Sequence, residues 1–134
     1  MNEIYEIANS HNACIFSTVE DNQPRSRIML MWFADETGFY FHTGKNKRIY
    51  KQIIDNPKVE LLFYPLNSKA DKIMLRVSGE IEMVEGLMDR LNEERPATKE
   101  FRDEMVIFRV VRGEAYFWTM ADNGHERDIE VFKF

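Results

Sequence analysis

Lys45, Lys47, Arg48 and Lys51 put four cations into a seven-residue stretch of a chain whose formal net charge is −5. They follow the strand-like run Phe39-Tyr40-Phe41-His42-Thr43, and a Thr-Gly step at 43–44 links the two. Where a strand turns into a helix start, the first amides of the helix have no backbone partner, and the macrodipole adds roughly half a positive charge. Lysines beside such a turn complete a phosphate site, which makes a phosphorylated small molecule the leading ligand class. The other reading of the same four charges is a solvated helix face.

A second cation points the same way. The two-residue period of a strand over 25–33 places Arg27, Met29, Met31 and Phe33 on one face and Ile28, Leu30 and Trp32 on the other. A guanidinium in so apolar a strand needs an anionic partner, because burying it unpaired is costly. Arg27 either reaches the phosphate of the basic turn or pairs with one of the chain's 23 carboxylates at a barrel mouth. Arg76, between Leu75 and Val77, poses the same question and is read as a structural salt bridge.

The elements that must hold these residues are mostly strands. A short amphipathic helix is expected over 2–9, then strands over 13–19 and 25–33 joined by the turn 20–24 as a hairpin. A third strand, 39–43, leads into a helix from about 47 to 54 that buries Ile49, Tyr50, Ile53 and Ile54 and stops at Asn56-Pro57. Strands follow over 59–64 and, after the polar loop 67–71, over 72–84, with Gly79 marking a bulge or bend. A helix over 86–94 ends at Pro96. A long strand over 105–120 is interrupted at Gly113, and an edge strand over 129–134 follows the stretch 121–127. Hairpins with few helices, and strands apolar on both faces, indicate a mainly β fold: a small antiparallel barrel rather than a parallel doubly wound sheet.

Composition narrows the function classes. At 134 residues the sequence fits one domain over its whole length. Ten Phe, five Tyr, two Trp and eight Met exceed what a monomer core of this size needs, which points to a dimer. Cys14 is the only cysteine, so no intrachain disulfide forms, and it is expected to be a small core residue. No basic start and apolar run marks a signal peptide, and no stretch approaches the ~20 apolar residues of a membrane span, so a soluble, cytoplasmic protein is expected. A net charge of −5 argues against broad nucleic-acid binding. His11, His42 and His125 lack ligand spacing for a metal, and no Gly-x-Ser-x-Gly motif supports acyl transfer.

The runs Arg27-Ile28-Met29-Leu30, Phe39-Tyr40-Phe41-His42-Thr43, Lys47-Arg48-Ile49-Tyr50-Lys51-Gln52-Ile53, Asn56-Pro57-Lys58-Val59-Glu60-Leu61-Leu62-Phe63-Tyr64 and Leu75-Arg76-Val77-Ser78-Gly79-Glu80 come in an order. That ordered set resembles the pyridoxamine 5′-phosphate oxidase-like, FMN-binding split-barrel proteins. The resemblance implies a homodimer of six-stranded antiparallel split barrels with FMN in the groove between subunits. It places Arg27 on the phosphate, Ile28, Met29 and Leu30 along the flavin, His42 and Thr43 against the cofactor, and the basic turn with Lys47, Arg48 and Lys51 in support of the phosphate. Trp118 is the candidate to approach the flavin from the neighbouring subunit.

The sequence also departs from that pattern. A phosphate-site lysine of many members is Ile49 here, a flavin-contacting glutamine is Met74, and the lysine that grips substrate phosphate in the oxidases is Trp32. The C-terminal arginine and histidine segment of those enzymes has no counterpart in 121–134. The resemblance therefore implies an FMN-dependent oxidoreductase that reduces a small diffusible acceptor, with a nicotinamide as possible donor, and not a true pyridoxamine phosphate oxidase. The alternative is a binding or storage protein for a flavin, deazaflavin or haem, without turnover.

Overall fold

The computed structural model describes residues 1–64 and 74–134. Its elements are α1 (Asn2–Ser10), β1 (Ala13–Glu20), β2 (Gln23–Leu30), β3 (Phe33–Asp35), β4 (Gly38–Gly44), α2 (Arg48–Asp55), β5 (Lys58–Phe63), β6 (Met74–Val84), α3 (Met88–Glu94), β7 (Met105–Trp118) and β8 (Phe132–Lys133). All pairings are antiparallel, in the order β2-β1-β5-β6-β7-β4-β3 with β8 added to β7. The expected loop over 67–71 and the first residues of the expected strand over 72–84 lie outside the described residues.

The expected strand over 25–33 is two strands, and the break explains the barrel. Asp21 and Asn22, at φ 49° and 63°, form a two-residue hairpin turn, so β2 begins at Gln23 and tolerates Pro24 on its free edge. At the other end the chain changes partner. Met31 N–H donates to Asn12 carbonyl at 2.8 Å, extending the β1 pairing, and the next residue, Trp32, donates to Tyr40 carbonyl at 2.8 Å, starting the β4 pairing. β2 and β3 are the two end strands of the sheet, so this step brings its edges together without zipping β2 to β4. The barrel is split along that line.

Inside, alternation does what a half-buried strand requires: Cys14, Phe16 and Thr18 of β1 and Val59, Leu61 and Phe63 of β5 point into the core. Phe16 lies edge-on to Phe41 and Phe108 at 5.1 and 5.9 Å between ring centroids. Tyr40, which alternation would send outward, is buried by a satellite cluster with Leu91 of α3 and Ile107 of β7. Among the described residues the strands number eight rather than six, in part because the expected strand over 25–33 is two. β7 stops at Trp118, short of the expected residue 120, and 120–122 and 126–128 are 3-10 turns. The last strand shrinks to β8, beyond which Phe134 exchanges backbone hydrogen bonds with Gly113 at 3.0 and 3.1 Å. No helix among the described residues is long and apolar enough to cross a membrane.

The bend expected at Gly79 is present, with the β6–β7 register shifting between Ser78 and Glu80. Gly113 lies opposite it, and a Cβ there would sit 1.7 Å from the Ser78 carbonyl oxygen. The backbones cross too closely for any side chain, so Gly113→Ala should destabilise the fold by about 3 kcal/mol or more, read as a lower urea midpoint. An unchanged midpoint would contradict the close approach.

Candidate functional site

The split between β2 and β4 is the site. A cavity of about 620 Å³ is lined by Arg27, Ile28, Met29 and Leu30 from β2 and by His42, Thr43 and Gly44 from β4, with Lys47, Ile49, Arg95, Ala97, Thr98 and Met105 around them. Among the described residues β2 pairs only with β1, and its other edge is unpaired. The Met31 to Asn12 bond sets the alternation: Arg27 and Met29 face β1 with their backbone groups, and Ile28 and Leu30 present N–H and C=O away from it. A flat ligand lying along this edge finds main-chain donors and acceptors ready-made.

The cavity runs on into a second, smaller one of about 380 Å³ that shares Arg27, Lys47 and Ile49 with it. Arg25, Arg27, Lys47 and Arg48 line this end against a single carboxylate, Glu20. The start of α2 opens here, with Lys47 as an N-cap that makes no side-chain capping bond; Tyr50 N–H donates to the Lys47 carbonyl at 3.1 Å, which leaves the amides of Arg48 and Ile49 for a ligand.

Arg27 stands at the junction. Its Nη1 donates to Thr18 Oγ1 at 2.9 Å and to Phe16 carbonyl at 3.1 Å, and its Nη2 donates to Gln52 Oε1 at 2.5 Å. Every one of these acceptors is neutral, and the Nε–H has no partner among the described residues. Burial lowers the pKa of the guanidinium, and the field of Glu20 partly offsets this. The carboxylate pairing considered for Arg27 is thus replaced by neutral acceptors that orient the group and leave its charge for a ligand. Arg76, by contrast, pairs with Glu60 at 3.7 Å as the structural bridge expected of it.

At the far wall, Arg95 donates from Nη1 to His42 Nε2 at 2.8 Å and from Nη2 to Met31 carbonyl at 2.8 Å. Burial first, and the Arg95 charge second, push the His42 pKa down to about 4. His42 is therefore the neutral imidazole that accepts at Nε2. Thr43 is buried beside it on the cavity wall.

Two of the expected residues lie elsewhere. Lys51 lines neither cavity; one helical turn from Asp55, it pairs with that carboxylate beside the β1–β2 turn. Trp118 lines a separate cavity of about 540 Å³ with Met74, Arg76, Tyr116, Glu126, Ile129 and Val131. Within one chain it does not meet the β2–β4 groove. Two residues escaped sequence reasoning. Gln52 carried a signal, since it falls on the buried stripe of α2 with Ile49 and Ile53, where a polar side chain needs partners. Arg95 carried none, because only the crossing of α3 over the barrel brings it to His42.

Fold and groove together define a split-barrel protein whose β2–β4 groove runs on into a pocket lined by cations. Over residues 1–119 the chain matches the family model described as pyridoxamine 5′-phosphate oxidase, and it belongs to that family. It is 39% identical over 71 residues to the pyridoxine/pyridoxamine 5′-phosphate oxidase of Shewanella frigidimarina, a match that covers 52% of this chain and 31% of that one. The matched region spans between 31% and 39% of the length of such curated relatives. Among solved structures, a nimC/nimA family protein from Clostridium acetobutylicum superposes with a TM-score of 0.77 at 23% identity, covering 100% of this chain and 93% of that one. HutZ, the haem storage protein of Vibrio cholerae, superposes at 0.63 with 15% identity, covering 81% and 87%. At these identities the structural matches speak for the fold.

The His42 environment has a measurable consequence. Between pH 6.5 and about 4 the unfolded chain binds a proton at this position that the folded chain refuses. Stability contributed by neutral His42 is therefore complete above pH 6.5 and declines as pH falls toward 4. Urea unfolding at pH 7 and pH 5 should show a larger loss for the native chain than for His42→Gln. Equal losses would contradict the neutral, Arg95-bonded histidine.

Proposed function

We propose that this protein binds FMN in the β2–β4 groove and, as a homodimer, works as a flavin-dependent reductase of a small diffusible acceptor. The observation that carries the reading is the two-part shape of the site: a larger, mostly apolar cleft along a free strand edge that narrows into a pocket of four cations against one carboxylate. FMN has the matching form, a flat ring joined to a phosphate. Arg27, Lys47 and Arg48 hold the phosphate, the first-turn amides of α2 assist, the Ile28 and Leu30 main chain meets the ring edge, and Thr43 offers a hydroxyl to the ribityl or phosphate. Ile49 is no obstacle, since Arg27 and Lys47 flank it in the same pocket.

When bound, the flavin supplies the redox chemistry, taking a hydride from a donor such as a reduced nicotinamide and passing electrons to the acceptor. The chain itself binds, orients and shields. Pyridoxamine phosphate oxidation is not proposed, because Trp32, where the oxidases carry their substrate-phosphate lysine, donates its Nε1–H to Glu94 at 3.2 Å. An indole and a carboxylate do not grip a phosphate.

A second copy is supported by the outer sheet face. Register aligns Ile28, Ile15, Leu62, Arg76 and Tyr116 in one row across five strands. Ile28, Leu30 and Tyr64 are 76%, 59% and 57% exposed. An apolar sheet face of this extent calls for a partner, and a second copy also explains the aromatic surplus. Ile28 and Leu30 belong both to this face and to the groove, so a dimer brings a neighbour's residues, the Met74–Trp118 cavity among them, close to the bound ring.

Storage or sensing without turnover is the second reading, favoured by the likeness to the haem storage protein and by a groove histidine that is neutral and committed to Arg95. Steady oxidation of a reduced nicotinamide with added FMN supports the reductase, and tight FMN binding without it supports storage. Protein purified without added cofactor should be yellow or take up FMN at about one per subunit. Arg27→Ala should weaken FMN binding by about 10- to 100-fold, the range of a charged hydrogen bond, while folding normally because Thr18 still donates to Gln52 at 2.6 Å. Full FMN affinity in that variant would remove Arg27 from the site.

A further inference from the structure

We infer that Gln52 is a positioning residue of the anion pocket: it aims the Arg27 guanidinium into the pocket and, by bonding Glu20 through the other end of its amide, keeps that carboxylate from pairing directly with it. The inference rests on the reading of Arg27 as the phosphate holder and adds to it a residue that acts through Arg27.

Gln52 is 3% exposed and lies on the core stripe of α2 between Ile49 and Ile53. A polar side chain in that position costs stability unless its amide is satisfied, and a leucine or methionine would serve packing better. What the amide does is specific. Its Oε1 accepts from Thr18 Oγ1 at 2.6 Å and from Arg27 Nη2 at 2.5 Å, while Thr18 Oγ1 itself accepts from Arg27 Nη1 at 2.9 Å. Two acceptors on two elements, both neutral, fix one edge of the guanidinium. The other end of the same amide, Nε2, faces Glu20 Oε2 at 3.4 Å.

Glu20 therefore meets an N–H where it would otherwise meet Arg27. Its second oxygen is taken by Arg25 Nε at 3.4 Å. The one carboxylate in a pocket of four cations is engaged by a neutral amide and a peripheral arginine, and Arg27 makes no direct ion pair with it. An isosteric acid at position 52 would keep the packing and the Thr18 and Arg27 contacts yet place a negative charge against the guanidinium. Such a close opposite charge competes with any bound phosphate.

The test compares FMN with riboflavin, which has the ring but no phosphate, in fluorescence titrations of the native chain, Gln52→Glu, Gln52→Met and Glu20→Gln, each checked by thermal unfolding. The native chain should favour FMN strongly. Gln52→Glu should lose about 10- to 100-fold in FMN affinity with riboflavin affinity unchanged, the loss expected of a charged hydrogen bond given up. Glu20→Gln should raise FMN affinity by less than about tenfold, because its field acts on the pocket but Gln52 already keeps it from pairing directly with Arg27. Gln52→Met keeps the test open if the acid variant fails to fold: with the aiming acceptor gone, FMN affinity should fall while riboflavin affinity stays. A native chain that binds both ligands equally would overturn the phosphate reading and this inference together. A native preference for FMN that survives in both position-52 variants, or a large gain in Glu20→Gln, would overturn the role of Gln52 alone.

Discussion

Everything at the site depends on one change of partner in the chain. Met31 closes the pairing of β2 with β1, and Trp32, the next residue, opens the pairing of β3 with β4. A sheet whose end strands are joined by a single step must curl, but the step also holds β2 away from β4 above it. The cost is an unpaired strand edge, which most proteins cover or blunt. Here the edge becomes the wall of a groove, and its free main-chain groups are what a flat heterocycle can use.

The electrostatics follow from that geometry. An arginine on the inward face of β2 is partly buried, and burial works against its charge. Neutral partners satisfy its geometry without cancelling the charge, so the folding penalty is repaid in part only when an anion arrives. At the other wall Arg95 meets a neutral imidazole and a carbonyl, again no carboxylate. Both arginines of the groove are arranged by dipoles. That arrangement distinguishes a binding cleft from the ordinary ion pairs elsewhere on the sheet, such as Arg109 with Glu82 at 3.1 Å.

Much of this was legible in the sequence, and the reason is local. Alternation in β2 put Arg27 and Met29 on the inward face, and the Thr-Gly turn with its cations located the start of α2, because both signals sit within single elements. The split of 25–33 into two strands was not legible, since the residues keep strand character through the partner change and only pairing reveals it. Lys51 looked like a member of the basic cluster, but helical geometry turns it toward Asp55. Arg95 could not be found, because its place depends on how α3 packs through Leu91 and on the 3-10 turn after it. Trp118 lines a cavity of its own, apart from the β2–β4 groove.

The central claim is that FMN lies with its phosphate among Arg27, Lys47 and Arg48 and its ring along the Ile28 to Leu30 edge. A crystal structure of the protein grown with FMN tests it most directly. The account predicts phosphate oxygens within hydrogen-bond distance of Arg27 and of the first amides of α2, with the ring in the β2–β4 groove. Flavin bound elsewhere, for example in the Met74–Trp118 cavity of the same chain with Arg27 still turned to its neutral partners alone, would contradict it.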